Sequence, residues 1–203
     1  MPQTSTDNFA NKSKSWDMNS KRVQNAQEIA KAIDNTIKLK SNMTLMDFGA
    51  GTGLLSFCLS DKIKKVIAVD NSPSMLEEFH LKSNEFNCET EVLQKDLSTQ
   101  TIERTFDGII SSMTIHHLED INALFSHFYD MLDKDGFIAL ADLDSEDGTF
   151  HSDNTGVFHY GFNRASLEAI AKEVGFKNIS FETVSIIKKP QCEFSVFLMT
   201  AYK

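Results

Sequence analysis

The sequence predicts an α/β fold, a doubly wound, seven-stranded, mostly parallel sheet that ends in an antiparallel C-terminal hairpin. Three observations carry this. Between Asn42 and Leu55 a short apolar strand runs into glycines at alternate positions, Gly49, Gly51 and Gly53, and then into an apolar helical pattern. Beyond it, continuous apolar runs of strand length alternate with helix-period segments, as in a parallel sheet covered on both faces. Near the end, two strand-like stretches stand so close that they must pair antiparallel, because a parallel pair needs a longer crossover.

The 203 residues and 41% apolar content suit one domain with a full core. With no internal repeat and no Pro- or Gly-rich linker, residues 1–203 read as a single domain. No apolar run is long enough to span a membrane, and the N-terminus lacks the apolar stretch of a signal peptide. Cys58, Cys88 and Cys192 are isolated and form no C-x-x-C, which argues for a reducing cytosol and small hydrophobic roles. A net charge of −9 repels polyphosphates, so nucleic acid is a poor partner.

In order, residues 1–14 are polar and are expected to fray in part. Trp16 follows, either anchoring the next helix on the core or forming part of a lid. Val23, Ala26, Ile29, Ala30, Ile33 and Ile37 then keep helical spacing. These residues, 1–40, form an N-terminal segment and helix before the first strand, Met43 to Phe48. The glycines let the chain turn sharply and approach a ligand. Leu54 to Leu59 make a short apolar helix. Lys65 to Asp70 is the second strand, and Ser72-Pro73 opens a helix with Met75, Leu76 and Phe79 inward. Glu91 to Lys95 and Phe106 to Ser111 are strands three and four. Asp120 caps a helix carrying Ile121, Leu124, Phe125 and Phe128 on one side. Lys134-Asp135-Gly136 turns the chain into strand five, Phe137 to Ala141. Residues 142–162 have no period and are dense in aromatics and histidines, which marks a substrate-side insertion. Asn163 caps a last helix, with Leu167, Ile170, Ala171 and Val174 inward and Gly175 at its close. Ile179 to Lys188 and Glu193 to Tyr202 complete the sheet.

In such a sheet ligands sit beyond the carboxyl ends of the strands, at the switch in strand order. Asp47 and Gly49 to Gly53 fall at the first end, Asp70 at the second, Asp96 at the third, and Ser111 to His117 at the fourth. A carboxylate after the second strand suits a ribose, Asp96 suits an adenine amino group, and Met75 and Leu97 suit its ring faces. A ligand with a ribose, an adenine and a zwitterionic end uses all of these.

The ordered motifs D-F-G-A-G-T-G, V-I-A-V-D, K-D-L, F-D-G-I-I-S-S-M-T-I-H-H-L and D-G-F-I-A-L-A-D-L-D resemble the class I S-adenosylmethionine-dependent methyltransferases. The small-molecule branch related to quinone-biosynthesis methyltransferases is the most similar. The resemblance covers about Thr44 to Asp144 and implies a Rossmann-like fold, S-adenosyl-L-methionine as cofactor and a small-molecule substrate. It implies that Gly49, Ala50, Gly51 and Gly53 approach the methionine part and that Asp70 with Asn71 meets the ribose. It places Asp96 and Leu97 beside the adenine and Ser111, Ser112 and Met113 on the methionyl side. Asp47 would hold either the cofactor's amino end or the loop, and Trp16 and Arg22 would close over the cofactor. Methyl transfer is then in-line attack of a substrate nucleophile on the sulfonium methyl, with alignment as the main contribution.

A base is needed only for an acceptor that must lose a proton. His116 and His117 follow strand four, one expected inward and the other at the cleft. His151 and His159 lie among Phe150, Phe158, Tyr160 and Phe162, either a lid on the sheet edge or an aromatic pocket with a histidine base. These four are the candidate catalytic residues, and the aromatics suggest an aromatic or apolar acceptor. Metal binding by His116, His151 and His159 has no supporting spacing, so no metal is expected. S-S-M-T stands where exocyclic-amine methyltransferases carry N-P-P-Y. A nicotinamide-dependent oxidoreductase fits poorly, because the third glycine of G-x-G-x-x-G would fall at Leu54. A non-catalytic protein that binds the cofactor or its product is the other alternative.

Overall fold

Fifteen helices and strands are laid out in a computed structural model that describes residue 7 and residues 9–96, 98–190 and 192–203. The strands are β1 (Thr44–Phe48), β2 (Lys65–Asp70), β3 (Glu89–Gln94), β4 (Phe106–Ser112), β5 (Leu132–Leu143), β6 (Lys177–Lys188) and β7 (Glu193–Tyr202). The α-helices are α1 (Ser20–Thr36), α2 (Leu54–Leu59), α3 (Pro73–Leu81), α4 (Ile121–Met131) and α5 (Arg164–Val174). Short 3-10 turns occupy Ser13–Met18, Ser83–Glu85 and Ile115–His117.

The sheet runs β3-β2-β1-β4-β5-β7-β6. The first five strands in that order pair in parallel, and β7 pairs antiparallel with both β5 and β6. The switch in order falls between β1 and β4, where Phe48 stands opposite Ser111. Alternation along the strands divides the core in two. Leu45, Val66 and Ile110 face α1, α2 and α3, packing with Ile29, Ile33, Leu59 and Phe79. Met46, Ile67 and Ile109 face α4 and α5, packing with Phe125, Phe128 and Leu167. Burying one such large apolar side chain contributes about 1.5–3 kcal/mol.

Four of the five α-helices start where the sequence offers a side-chain cap; α2 starts from Gly53 without one. The Asn19 side chain accepts from Lys21 N and Arg22 N, and the Ser72 hydroxyl accepts from Met75 N. Asp120 accepts from Ala123 N, and Asn163 from Ser166 N. Gly175, with φ of 116°, closes α5 in the left-handed conformation that β-carbons disfavour.

One expectation is corrected. Strand five begins at Leu132, not Phe137, because the chain passes Asp135 (φ 63°) as an irregularity inside the strand rather than as a turn before it. Of the segment expected to fray in part, residues 1–6 and residue 8 lie outside the described residues, while residue 7 is held at the start of α3. The Asp7 carboxylate accepts from the Ser72 hydroxyl at 2.8 Å and from Ser74 N at 3.1 Å, at the start of α3. The remaining strand and helix bounds agree with the sequence reading to within two residues.

Candidate functional site

The carboxyl ends of β1, β2 and β4 meet at the glycine turn. Gly49 N and Ala50 N donate to the Val69 carbonyl, which brings the turn over the end of β2. Asp70 sits beneath it. One carboxylate oxygen accepts from Gly51 N at 2.8 Å and the other from Ser72 N at 2.9 Å. Burial holds the Asp70 carboxyl above the usual range, against the lowering effect of these amides.

The three glycines do different work. A β-carbon on Gly49 would stand 2.1 Å from the Thr114 side chain, and one on Gly53 would stand 2.5 Å from the Phe79 ring. A β-carbon on Gly51 would meet nothing within 4 Å. Gly51 therefore presents bare backbone to open space beside Asp70, the cradle that a nucleoside-linked ligand needs.

Several expected contact residues are turned inward. Asp47 is buried and accepts from the Ser56 hydroxyl, which holds the first turn of α2. Burial, aided by the nearby Asp70 charge, pushes its carboxyl up to about 7. Ser111 is buried and its hydroxyl donates to the Phe48 carbonyl at 2.7 Å. Ala50 and Met75 are buried in the core. Gly51, Asp70, Asn71, Asp96, Ser112 and Met113 remain at least partly accessible, and Leu97 lies outside the described residues. Met113 is held at φ 57° while its N–H donates to the Ala141 carbonyl. Asp96 accepts through Oδ1 from Ser98 N and the Ser98 hydroxyl.

The N-terminal segment crosses this end of the sheet. Asp17 accepts from the Thr52 hydroxyl of the glycine turn and pairs with Lys82. The Arg22 guanidinium lies 3.7 Å over the half-buried Trp16 ring, and Phe9 meets Trp16 edge-on at 5.7 Å. Phe9 also stands 6.4 Å from the His117 ring. Trp16 thus packs between Phe9 and Arg22 within the N-terminal segment.

On the far side of the switch three histidines converge. Ring centroids are 4.2 Å apart for His116 and His117, 5.0 Å for His116 and His151, and 5.9 Å for His117 and His151. His116 is the buried member, as expected for one of the pair, and its Nδ1 faces both oxygens of the buried Asp142 at 2.8 and 3.0 Å. His117 Nδ1 donates to the Gly156 carbonyl at 2.7 Å. Burial, then the His116 charge, lowers the His117 pKa. Burial and the two neighbouring imidazoles push His151 down to about 4.

His159 does not join them. Its Nε2 lies 2.9 Å from the Leu118 carbonyl and its ring stacks near Phe162. The aromatics of residues 142–162 do not form one pocket either. Phe162 is in the core, Phe158 and Tyr160 are exposed, and Phe150 packs on Phe194. Sequence reasoning passed over Asp142. Its signal was present, since F-I-A-L-A-D ends a strand with an acid just as V-I-A-V-D does at Asp70.

The chain is an open α/β sheet with an accessible glycine turn beside the switch in strand order, where ligands of such sheets sit. The chain belongs to the Methyltransferase domain family, whose model matches residues 21–181. It is similar to an uncharacterized methyltransferase of Schizosaccharomyces pombe, 29% identical over 174 residues, covering 77% of this chain and 60% of the relative. A malonyl-[acyl-carrier protein] O-methyltransferase of Bacillus anthracis is 26% identical over 164 residues, covering 78% of this chain and 53% of the relative. The chain thus spans between half and two thirds of the length of these relatives. The fold matches that of magnesium protoporphyrin IX methyltransferase from Synechocystis, solved with bound S-adenosylmethionine. The TM-score is 0.66 at 18% identity, covering 97% of this chain and 84% of that one. Among the described residues no helix is long and apolar enough to cross a membrane.

Proposed function

We propose that the chain transfers a methyl group from S-adenosylmethionine to a small-molecule acceptor, as one domain over residues 1–203 with 142–162 on the acceptor side. The observation that carries this is the open space before Gly51 beside the Asp70 carboxylate, within a chain of the methyltransferase family. S-adenosylmethionine, when bound, supplies a methyl already activated on a sulfonium. The protein's contribution is binding, alignment and exclusion of water.

Asp70 accepts the ribose hydroxyls, because each oxygen retains acceptor capacity beyond one backbone amide. Asn71 borders that ring, and Asp96 accepts from the adenine amino group. Ser112 and Met113 line the methionyl side beside the glycine turn. Asp47, Gly49 and Gly53 hold the turn in shape rather than touch the ligand. Trp16 and Arg22 exclude water from the N-terminal side. His116, His117 and His151, bordered by Phe9 and Phe150, face the acceptor, which suits an aromatic or apolar molecule. The net charge of −9 opposes a nucleic-acid acceptor. The unpaired Cys58, Cys88 and Cys192 suit a reducing cytosol.

Calorimetry with S-adenosylmethionine and S-adenosylhomocysteine tests the reading. Asp70→Ala should weaken both by at least about tenfold, the equivalent of ~1.4 kcal/mol. Undiminished binding by the variant overturns the ribose assignment, and no binding by wild type overturns the cofactor. A methyl-release assay over small phenols, quinols and thiols then separates an enzyme from a non-catalytic binder.

A further inference from the structure

The histidine cluster has features that a core histidine or a lone general base does not need. His116, His117 and His151 each offer a ring nitrogen, and these atoms all lie within 4.8 Å of one another. Nε2 of His116 and Nδ1 of His151 are buried without a hydrogen-bond partner. Among the described residues only three buried side-chain polar atoms are in that state, so two of the three belong to this cluster. Unpartnered buried polar atoms are costly, and two within one such cluster call for a partner.

The outer contacts set the tautomers. Asp142 takes the Nδ1 proton of the buried His116, which leaves its Nε2 lone pair bare. The Gly156 carbonyl takes the Nδ1 proton of His117 and likewise bares its Nε2. A carboxylate or carbonyl behind one ring nitrogen and nothing before the other is how ligating histidines are held.

We propose that His116, His117 and His151 form a binding site for one divalent metal ion of the zinc class, with Asp142 and Gly156 as its outer shell. Three imidazoles suit Zn²⁺, and Co²⁺ as its probe, far better than the oxygen-seeking Mg²⁺ or Ca²⁺. Tetrahedral ligation places the nitrogens roughly 3.3 Å apart. Small ring movements reach that spacing, and His117 and His151, both only partly buried, supply them. Three protein ligands leave a fourth position open. Its occupant, water or an oxygen or sulfur atom of the acceptor, is a point that rests on the proposed function. The site differs from the His116, His151 and His159 set weighed from sequence, because His159 is turned to the Leu118 carbonyl.

The test uses the untagged full chain, stripped with a chelator and titrated with Zn²⁺ by calorimetry without S-adenosylmethionine. One ion per chain is expected, and Co²⁺ should give the intense visible bands of a tetrahedral centre. His117→Ala and His151→Ala should each weaken binding by more than the roughly 10- to 100-fold expected for Asp142→Asn. His159→Ala should keep the wild-type metal affinity. Nitrogen NMR of the wild-type imidazoles reads the same point without a substitution, and Zn²⁺ should shift His116, His117 and His151 together. Absence of saturable one-to-one binding, unchanged affinity in both ligand variants, or unshifted imidazoles would overturn the site. A chain that binds Zn²⁺ but not S-adenosylmethionine would overturn the proposed function and leave the metal site standing; the reverse result would do the opposite.

Discussion

Gly49, Gly51 and Gly53 all hold left-handed backbone, at φ of +66°, +55° and +85°, yet their surroundings differ. An alanine at Gly53 adds a clash with Phe79 to the backbone strain, whereas one at Gly51 adds strain alone, about 1–2 kcal/mol. Gly53→Ala should therefore lower stability by more than Gly51→Ala, read as the urea midpoint. Gly51→Ala should show the larger loss of S-adenosylmethionine affinity per unit of lost stability. Equal ranking on both measurements would contradict the division of labour. Asp47 makes a pH prediction. Burial raises its folded pKa to about 7 from the ordinary 3.8, so the fold favours the neutral form. Its stabilising contribution is full below about pH 4 and is lost as pH rises through 7, a change of a few kcal/mol at ~1.4 kcal/mol per unit. Asp47→Asn keeps an acceptor for Ser56 and cannot ionise. Urea unfolding of the ligand-free chain at pH 5 and pH 8 should show a smaller drop in the variant than in wild type.

At the scale of elements, the 142–162 segment is irregular but not loose. Its ends are pinned by the Asp144–Phe162 bridge and by a two-bond ion pair between Arg164 and Asp144, both bonds 2.7 Å. Inside it, Glu146 accepts from the N–H groups of Gly148, Thr149 and Phe150, and the His116 carbonyl accepts from Phe158 N and His159 N. This is an Ω-like loop closed on itself, which carries His151 to His116. Gly161 is its tight point, at φ +67° with a would-be β-carbon 2.1 Å from the Asp144 carbonyl oxygen. Gly161→Ala should undock the loop, seen as faster protease cleavage within 145–160 and a lowered urea midpoint. A cleavage pattern identical to wild type would show the loop to be held elsewhere. The N-terminal segment is strapped the same way, through Asp7 on α3 and Asp17 on Thr52. Asp17→Ala should speed dissociation of S-adenosylmethionine with little change in association, measured by stopped flow, because that contact ties the N-terminal segment to the glycine turn.

At the scale of the whole molecule, β7 is the last strand in sequence but lies inside the sheet, between β5 and β6. Val196 to Ala201 are buried throughout, and Thr200, the polar member of the run, is hydrogen-bonded to Ser180. Deleting residues 193–203 should leave β5 paired only with β4, leave β6 with no partner, and abolish cooperative unfolding by circular dichroism; a folded, cooperative truncation would contradict this. By contrast β3 is an edge strand with no fully buried residue, so polar substitutions at its exposed ends, Glu89 and Gln94, should be tolerated.

The chain by itself determined the sheet and the cofactor half of the site. Central parallel strands such as Lys65–Asp70 are buried on both faces, so they read as continuous apolar runs, and their acids and glycines fall at strand ends by the same arithmetic. Caps at Ser72, Asp120 and Asn163 were local and legible for that reason. What only the tertiary structure decided lies in contacts between distant segments. Asp47 and Ser111 carried the right chemistry in the right place, but packing against Ser56 and Phe48 turned them inward. The meeting of His116, His117, His151 and Asp142 depends on the path of an aperiodic loop. That path is set by backbone amides around Glu146 and by one glycine, groups whose partners no periodicity encodes.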